Sequence, residues 1–245
     1  MAGFGNLGLM QPTNNDFLAC SSSVVASVTQ WGYWKALASG ARPDGCDWLE
    51  LRLDMMPEEK MEHELRPVCV ALPLLVTMRR MEEGGLLYRS DEERMKMLEG
   101  WLPFAHAVDV EIASLSSASS LIDTAKKQGV LVIASSHDFA GTPSLESMLE
   151  LEVEARGKGA DIVKFAFKLN TPQDLQTGCE LLARRSGDMA VMGMGEMGPC
   201  SRLFYSQLGS CLVYGYCGEV PSAPGQWHAS EFKRALAMLA PINPH

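Results

Sequence analysis

The sequence lacks the features that mark disulfide-stabilised and membrane-spanning proteins. Its seven cysteines are odd in number and include no CxxC pair, so we expect reduced thiols in the cytoplasm. The longest apolar run, residues 68–76, is far too short to cross a bilayer and contains Pro73. Residues 1–11 lack the basic segment and apolar run of a signal peptide. We therefore expect a soluble cytoplasmic protein with no membrane partner.

Positive charge is also scarce. The chain has 30 acidic and 21 basic residues, for a net charge of -9. A net negative charge disfavours binding to nucleic acid, so we expect no nucleic-acid partner. An anionic small molecule can still bind wherever arginines cluster. The histidines outside the candidate site lack the spacing of metal ligands, and we expect no metal: His63, His106, His228 and His245.

Short apolar segments alternate with longer amphipathic ones. The predicted strands are residues 24–29, 48–54, 74–78, 108–112, 130–136, 162–167, 190–194 and 212–216. The predicted helices are residues 31–39, 57–65, 91–101, 118–127, 145–156, 172–185, 201–208 and 230–239. Eight strand–helix units without a midpoint break favour a (β/α)8 TIM barrel, an α/β fold, over an open doubly wound sheet. We expect one catalytic domain at residues 21–245 and a flexible leader at residues 1–20.

Ionisable residues share one face of several predicted strands. In residues 48–54 the leucines lie on one face and Glu50, Arg52 and Asp54 on the other, because side chains alternate along a strand. The same alternation predicts inward polar residues in three further strands, namely Thr77, Arg79, Asp109, Glu111, Ser135 and His137. Burying unpaired charge is costly, so this cluster at the C-terminal ends of barrel strands indicates an active site.

Lys164 is a further ionisable residue that the alternation directs inward. Val163, Phe165 and Phe167 should face the helices, which directs Lys164 into the barrel. Lys168 shares this direction and is the rival inward lysine, although we expect it at the rim.

The segment 193–198 spells GxGxxG between a predicted strand and a predicted helix, with Glu219 about twenty residues further on. This pattern imitates a dinucleotide-binding fingerprint. Only one strand follows it, so a complete nucleotide-binding domain cannot form there. We interpret the segment as a tight loop that delivers Arg202 to the site, and we expect no cofactor.

Seven segments, in their order and spacing, resemble type I 3-dehydroquinate dehydratases over most of the chain. They lie at residues 50–54, 77–85, 109–111, 136–139, 160–164, 194–202 and 222–226. The resemblance implies a TIM barrel that dehydrates 3-dehydroquinate to 3-dehydroshikimate in the shikimate pathway. It also implies a syn elimination through a lysine Schiff base, without cofactor or metal, in a homodimer.

The resemblance also implies a role for individual residues. Lys164, rather than its rival Lys168, would form the Schiff base, because an iminium is a strong electron sink. His137 would be the general acid and base, because imidazole titrates near neutrality, and Glu83 would orient the histidine. Six further residues would bind substrate, namely Glu50, Arg52, Arg79, Arg202, Ser222 and Gln226. Two alternatives remain open: a class I aldolase-like enzyme that cleaves a carbon–carbon bond, and a non-catalytic sensor of shikimate-pathway metabolites.

Overall fold

The computed structural model describes residues 22–57, 72–219, 221 and 226–239. Eight parallel strands form its centre. They are β1 Ser23–Val28, β2 Trp48–Arg52, β3 Leu74–Thr77, β4 Ala107–Glu111, β5 Leu131–Asp138, β6 Ile162–Lys168, β7 Met189–Met194 and β8 Leu212–Tyr216. The leader predicted at residues 1–20, Ser222, and most of the helix predicted at residues 57–65 lie outside the described residues.

The strands follow one another around a nearly closed barrel. Each pairs in parallel with its neighbour in sequence from β1 to β7, and β8 pairs with β1. The β7–β8 seam is bridged where Cys211 N donates to Met189 O at 2.8 Å. Beside it, Val191 N donates to the Ser210 hydroxyl at 2.9 Å. The predicted barrel is therefore confirmed, and every strand directs its C-terminal end toward the same rim.

Seven helices in the described part of the chain surround the barrel. They are α1 Trp31–Ala38, α2 Asp91–Trp101, α3 Ser119–Gln128, α4 Leu145–Gly157, α5 Pro172–Arg184, α6 Gly198–Gln207 and α7 Ala229–Leu239. The start of α5 is a capping box in which Thr171 and Asp174 bond to each other's backbone amides. Among the described residues, no helix has the length and apolar character needed to cross a membrane.

The barrel interior changes character along its axis. Outward side chains such as Leu49, Leu51, Val163 and Phe165 pack under the helices, as the alternation predicts. Inward side chains near the N-terminal ends of the strands are apolar and form the floor, including Val25, Trp48, Leu75, Ile133 and Ile162. Most inward side chains near the C-terminal ends of β2 to β6 are polar and buried, including Glu50, Arg79, Asp109, Glu111 and Lys164. The packed floor leaves a polar site only at the C-terminal rim.

Two element boundaries differ from the prediction in ways that affect the site. β5 continues through Asp138, two residues past its predicted end, because His137 and Asp138 stay paired with Ala166 and Phe167 of β6. α6 begins at Gly198, three residues earlier than predicted, with Pro199 in its first turn. His137 is thus held by a strand ladder, and Arg202 lies inside a helix.

Candidate functional site

A cavity of about 170 Å³ opens at the C-terminal rim of the barrel. Eight of the nine residues predicted for the site line it, namely Glu50, Arg52, Arg79, Glu83, His137, Lys164, Arg202 and Gln226. They come from six strands and their following loops or helices, so only the closed barrel brings them together. The ninth, Ser222, lies outside the described residues.

Lys164 lies on the inner face of β6 and is only 3% exposed. Its Nζ donates to Asp109 Oδ2 at 3.0 Å and lies 4.2 Å from the ring centroid of Tyr214. Lys168, the rival lysine, is exposed at the end of the same strand and does not line the cavity. The buried amine at the centre of the site is therefore that of Lys164.

His137 and Glu83 form a hydrogen-bonded pair on one wall of the cavity. Glu83 Oε2 lies 2.9 Å from both the backbone N and the ring Nδ1 of His137. Glu83 ends a short 3-10 helix, Met81–Glu83, and is followed by two glycines. Gly84 adopts a left-handed φ of 87°, and a Cβ at Gly85 would lie 2.1 Å from Arg79 O. These glycines permit the tight turn that brings Glu83 to the histidine.

Burial and charge keep this pair neutral or singly charged. Burial, reinforced by the positive charges of Arg79 and Lys164, lowers the pKa of His137 well below its ordinary value. Burial raises the pKa of Glu83 to about 7, although the Arg79 guanidinium opposes this shift. The imidazole at rest is therefore neutral. When Glu83 is ionised, it accepts a hydrogen bond from the protonated Nδ1 of His137, which leaves the unprotonated Nε2 as the basic nitrogen.

The pKa of Glu83 predicts how Glu83→Gln changes stability with pH. Because the folded-state pKa of about 7 exceeds the ordinary value of 4.5 for a glutamate, the wild type loses stability as pH rises through this interval. Glutamine does not ionise and can still accept from His137. From about pH 5 to about pH 8 the free energy of unfolding of the variant should therefore rise relative to wild type by about 2 kcal/mol. Urea unfolding at both pH values measures this; a gap that stays constant or moves the other way contradicts it.

Arg79 is the hub of a buried charge network. Its Nη1 contacts Glu111 Oε1 at 2.8 Å, Ser135 Oγ at 2.7 Å and Asp109 Oδ1 at 3.0 Å. Burial alone would lower the pKa of Arg79, but the two carboxylates outweigh it and raise the pKa. Burial alone would raise the pKa of Asp109, but Arg79 and Lys164 hold it well below its usual range. Asp109 is thus an anion that joins the arginine to the lysine.

Two further predicted residues are fixed in place by neighbouring polar groups. Glu50 accepts hydrogen bonds from Ser27 Oγ at 2.5 Å and Thr77 Oγ1 at 2.8 Å. Arg52 pairs with Asp54 through both Nε, at 2.9 Å, and Nη2, at 2.7 Å. A bidentate pair of this kind holds the guanidinium plane in one orientation. Both side chains therefore present a defined edge to the cavity.

Among the cations that line the cavity, Arg202 is the one whose charge is least compensated. It is 5% exposed and donates to two backbone carbonyls, Gly193 O at 3.4 Å and Tyr214 O at 2.5 Å. No carboxylate within the described ranges forms an ion pair with it, and burial lowers its pKa to about 10. A guanidinium in this position favours a ligand that brings its own negative charge.

The GxGxxG segment shapes the wall that holds Arg202. A Cβ at Gly193 would lie 2.3 Å from Leu169 Cδ1 and 2.4 Å from Ser201 Oγ, so side-chain packing requires a glycine there. Gly195 adopts a φ of 83°, and Gly198 is the first residue of α6. One strand, β8, follows. The glycines therefore make the close β7–α6 turn, as interpreted from the sequence.

Two residues near the site were missed by sequence reasoning. Tyr214 was not singled out, although the alternation in β8 places it on the inner face with Leu212. Arg94, on the buried side of α2, is 0% exposed and ion-pairs with Glu111 and Asp91. A polar residue on the core face of an amphipathic helix was the available signal.

The described residues contain no group of three potential metal ligands.

Comparisons with known proteins point to one family. A family model described as type I 3-dehydroquinase matches residues 34–243. A 3-dehydroquinate dehydratase of Thermodesulfovibrio yellowstonii is 35% identical, over 80% of this chain and 86% of that protein. A catabolic 3-dehydroquinate dehydratase of Acinetobacter baylyi is 31% identical, and the match covers 80% of this chain and 74% of that protein.

A solved structure shares the fold. It is a type I 3-dehydroquinate dehydratase from Clostridium difficile, crystallised with covalently modified comenic acid. The two structures superpose with a TM-score of 0.77 at 24% identity, and the match covers 89% of this chain and 92% of the other.

Proposed function

Because the chain belongs to the type I 3-dehydroquinase family, we propose that Lys164 is its Schiff-base nucleophile and that the cavity around it binds 3-dehydroquinate. The chain is a 3-dehydroquinate dehydratase, an enzyme that removes water from this substrate in the shikimate pathway. One observation carries the residue assignment. A buried amine, an imidazole paired with a carboxylate, and the guanidinium of Arg202 border a single cavity.

Lys164 supplies the electron sink. The nitrogen of Lys164, once it has given up one ammonium proton, attacks the ketone carbon of the substrate and forms a carbon–nitrogen bond. The carbonyl oxygen leaves as water, which carries that proton and one N–H proton of the amine. The resulting iminium withdraws electrons from the adjacent carbon and acidifies its proton. Two contacts of Nζ, to Asp109 and to the Tyr214 ring, support this role because they hold the nitrogen at the cavity wall.

His137 moves the protons. The neutral imidazole removes the proton beside the iminium, and the electron pair forms an enamine. The imidazolium then donates that proton to the departing hydroxyl, which leaves as water on the same face. Hydrolysis of the product iminium releases 3-dehydroshikimate and returns the amine of Lys164. Glu83 orients the ring throughout, which the two 2.9 Å contacts support.

Arg202 binds the substrate carboxylate, since its buried charge lacks a carboxylate partner among the described residues. The remaining predicted residues contact the substrate hydroxyls and the ketone end, namely Glu50, Arg52, Arg79, Ser222 and Gln226. Hydrogen-bonding groups that are held before the substrate arrives favour a rigid polyol acid over a flexible one. Their positions around one cavity support this assignment for all except Ser222.

Arg202→Gln separates binding from folding. We expect kcat/KM to fall by about 30-fold, mainly through a higher KM, because a charge-assisted pair with the carboxylate is lost. The free energy of unfolding should stay the same or rise, because a desolvated cation has been removed. Steady-state kinetics and urea unfolding measure the two effects. An unchanged KM, or a stability loss that accounts for the lower activity, contradicts the assignment.

The domain bounds, the cellular location and the oligomeric state are also proposals. We assign one catalytic domain to residues 21–245, cytoplasmic location and a homodimer. The homodimer is what the resemblance to the type I family implies. The net charge of -9 supports the absence of a nucleic-acid partner. Light scattering of the purified chain measures the oligomeric state, and a monomer at micromolar concentration contradicts the homodimer.

The function is tested by incubating the purified chain with 3-dehydroquinate and following the ultraviolet absorbance of the conjugated enone. Proportional growth of the signal with enzyme concentration supports the dehydratase. Release of aldehyde from sugar phosphates without enone formation would favour the aldolase-like alternative. Calorimetric binding of 3-dehydroquinate without turnover would favour the sensor.

A further inference from the structure

The amine of Lys164 lies between an anion and an aromatic face. Asp109 Oδ2 accepts from Nζ at 3.0 Å, and the Tyr214 ring centroid lies 4.2 Å from the same nitrogen. A cation within about 6 Å of a ring centroid is attracted by the negative potential of the ring face. Both partners are buried, with Lys164 3% and Tyr214 4% exposed, so water screens this attraction little.

The hydroxyl group does not explain why an aromatic residue occupies position 214. It is buried and has no hydrogen-bond partner within the described part of the chain. A buried hydroxyl without a partner lowers stability, so phenylalanine would pack here at a lower cost. The backbone carbonyl of Tyr214 accepts from Arg202, which any residue could provide. The ring face is therefore the part of the side chain that meets a functional group.

The reaction changes what Lys164 requires of its neighbours. The ammonium has three N–H donors, whereas the iminium has one and keeps its positive charge. When the iminium forms, the nitrogen therefore loses most of the hydrogen bonds that it can donate to carboxylates. The attraction of a ring face needs no donor, so it contributes more to the iminium, which has lost two N–H donors, than to the ammonium. Unlike a carboxylate, an aromatic ring face is neither a base that removes the N–H proton nor a nucleophile that attacks the iminium carbon.

We infer that Tyr214 is a further catalytic residue, whose ring face stabilises the iminium cation formed on Lys164. This inference rests on the proposed role of Lys164 as the nucleophile. The ring competes with no substrate hydrogen bond, because it acts through its face. Tyr214 thus favours the cationic intermediate while Asp109 holds the amine before the substrate arrives.

Replacement of Tyr214 by a graded series of rings tests the inference. Phenylalanine and its mono-, di- and trifluorinated forms, incorporated at position 214, keep a similar shape while the ring face becomes less negative. Tyr214→Phe should keep kcat/KM within about 3-fold of wild type and raise the melting temperature, because the unpaired hydroxyl is removed. The trifluorinated ring and Tyr214→Leu should each lower kcat/KM by about 10-fold.

The second readout is the fraction of chain trapped on Lys164 by borohydride during turnover with 3-dehydroquinate. This fraction should fall steadily along the fluorinated series, while a residue that only packs would leave it unchanged. Because the fluorinated rings are close in size, the series carries the test even if Tyr214→Leu does not fold. If kcat/KM and the trapped fraction stay constant along the fluorinated series, the inference about Tyr214 is wrong, while the proposed nucleophile stands. No trapped adduct on Lys164 in the wild type overturns the proposed nucleophile and the inference together.

Discussion

Lys164→Met is expected to lower kcat by about 100,000-fold, because no other lysine in the described part of the chain lines the cavity and could form the iminium. Lys164 is the buried amine of the cavity, and methionine keeps its length without a nucleophile. The remaining groups can bind the substrate and move protons, but the carbanion would form beside an unactivated ketone. The loss should therefore appear in kcat, while the dissociation constant of 3-dehydroquinate changes far less.

Two matched variants control this result. Lys168→Met removes an amine from the exposed end of the same strand and should leave kcat unchanged. Lys164→Arg keeps a cation beside Asp109 and should preserve folding while remaining inactive. Enone formation in the Lys164→Met protein at more than about a tenth of the wild-type rate would remove Lys164 from the mechanism.

His137→Asn should lower kcat by about 1,000-fold and cause the substrate iminium on Lys164 to accumulate. The asparagine amide can replace Nδ1 in the contact with Glu83, 2.9 Å away, so the wall of the cavity is retained. It lacks the basic Nε2, so the proton beside the iminium is not removed. Intact-protein mass spectrometry under turnover conditions measures the accumulated adduct directly.

The matched control is the same substitution at the opposite end of the barrel. His106 accepts from Leu74 N through Nδ1 at 3.2 Å, and an asparagine oxygen can take this position. His106→Asn should leave kcat unchanged and affect stability only. Equal losses of activity in the two variants, or no adduct in His137→Asn, would show that the imidazole of His137 is not the acid and base.

Strand periodicity accounts for the part of the site that was predictable from sequence. The alternation of Leu49, Leu51 and Val163 with charged residues determined which side chains enter the barrel, and the structure confirms these faces. The direction of Lys164 followed from its own strand. The burial of Lys164 and the exposure of Lys168 also agree with the prediction.

Contacts between distant segments were not predictable from periodicity. Glu83 and His137 are separated by 54 positions, and only the family resemblance connected them. Their contact depends on a glycine turn and on the extension of β5, both of which arise from tertiary packing. Tyr214 on β8 contacts Lys164 on β6 although they are 50 positions apart, and neither residue's local sequence contains information about the other. Local sequence patterns thus predicted which way each side chain faces. Closure of the barrel determined which side chains contact one another.

Borohydride trapping followed by peptide mass analysis tests the central claim most directly. Borohydride reduces an iminium to a stable amine, so the chain is incubated with 3-dehydroquinate and the reductant and then digested. We predict one adduct with the mass of the reduced ligand on the peptide that contains Lys164, and none in the Lys164→Met protein. An adduct on Lys168, or continued enone formation with no adduct on any lysine, would contradict the account.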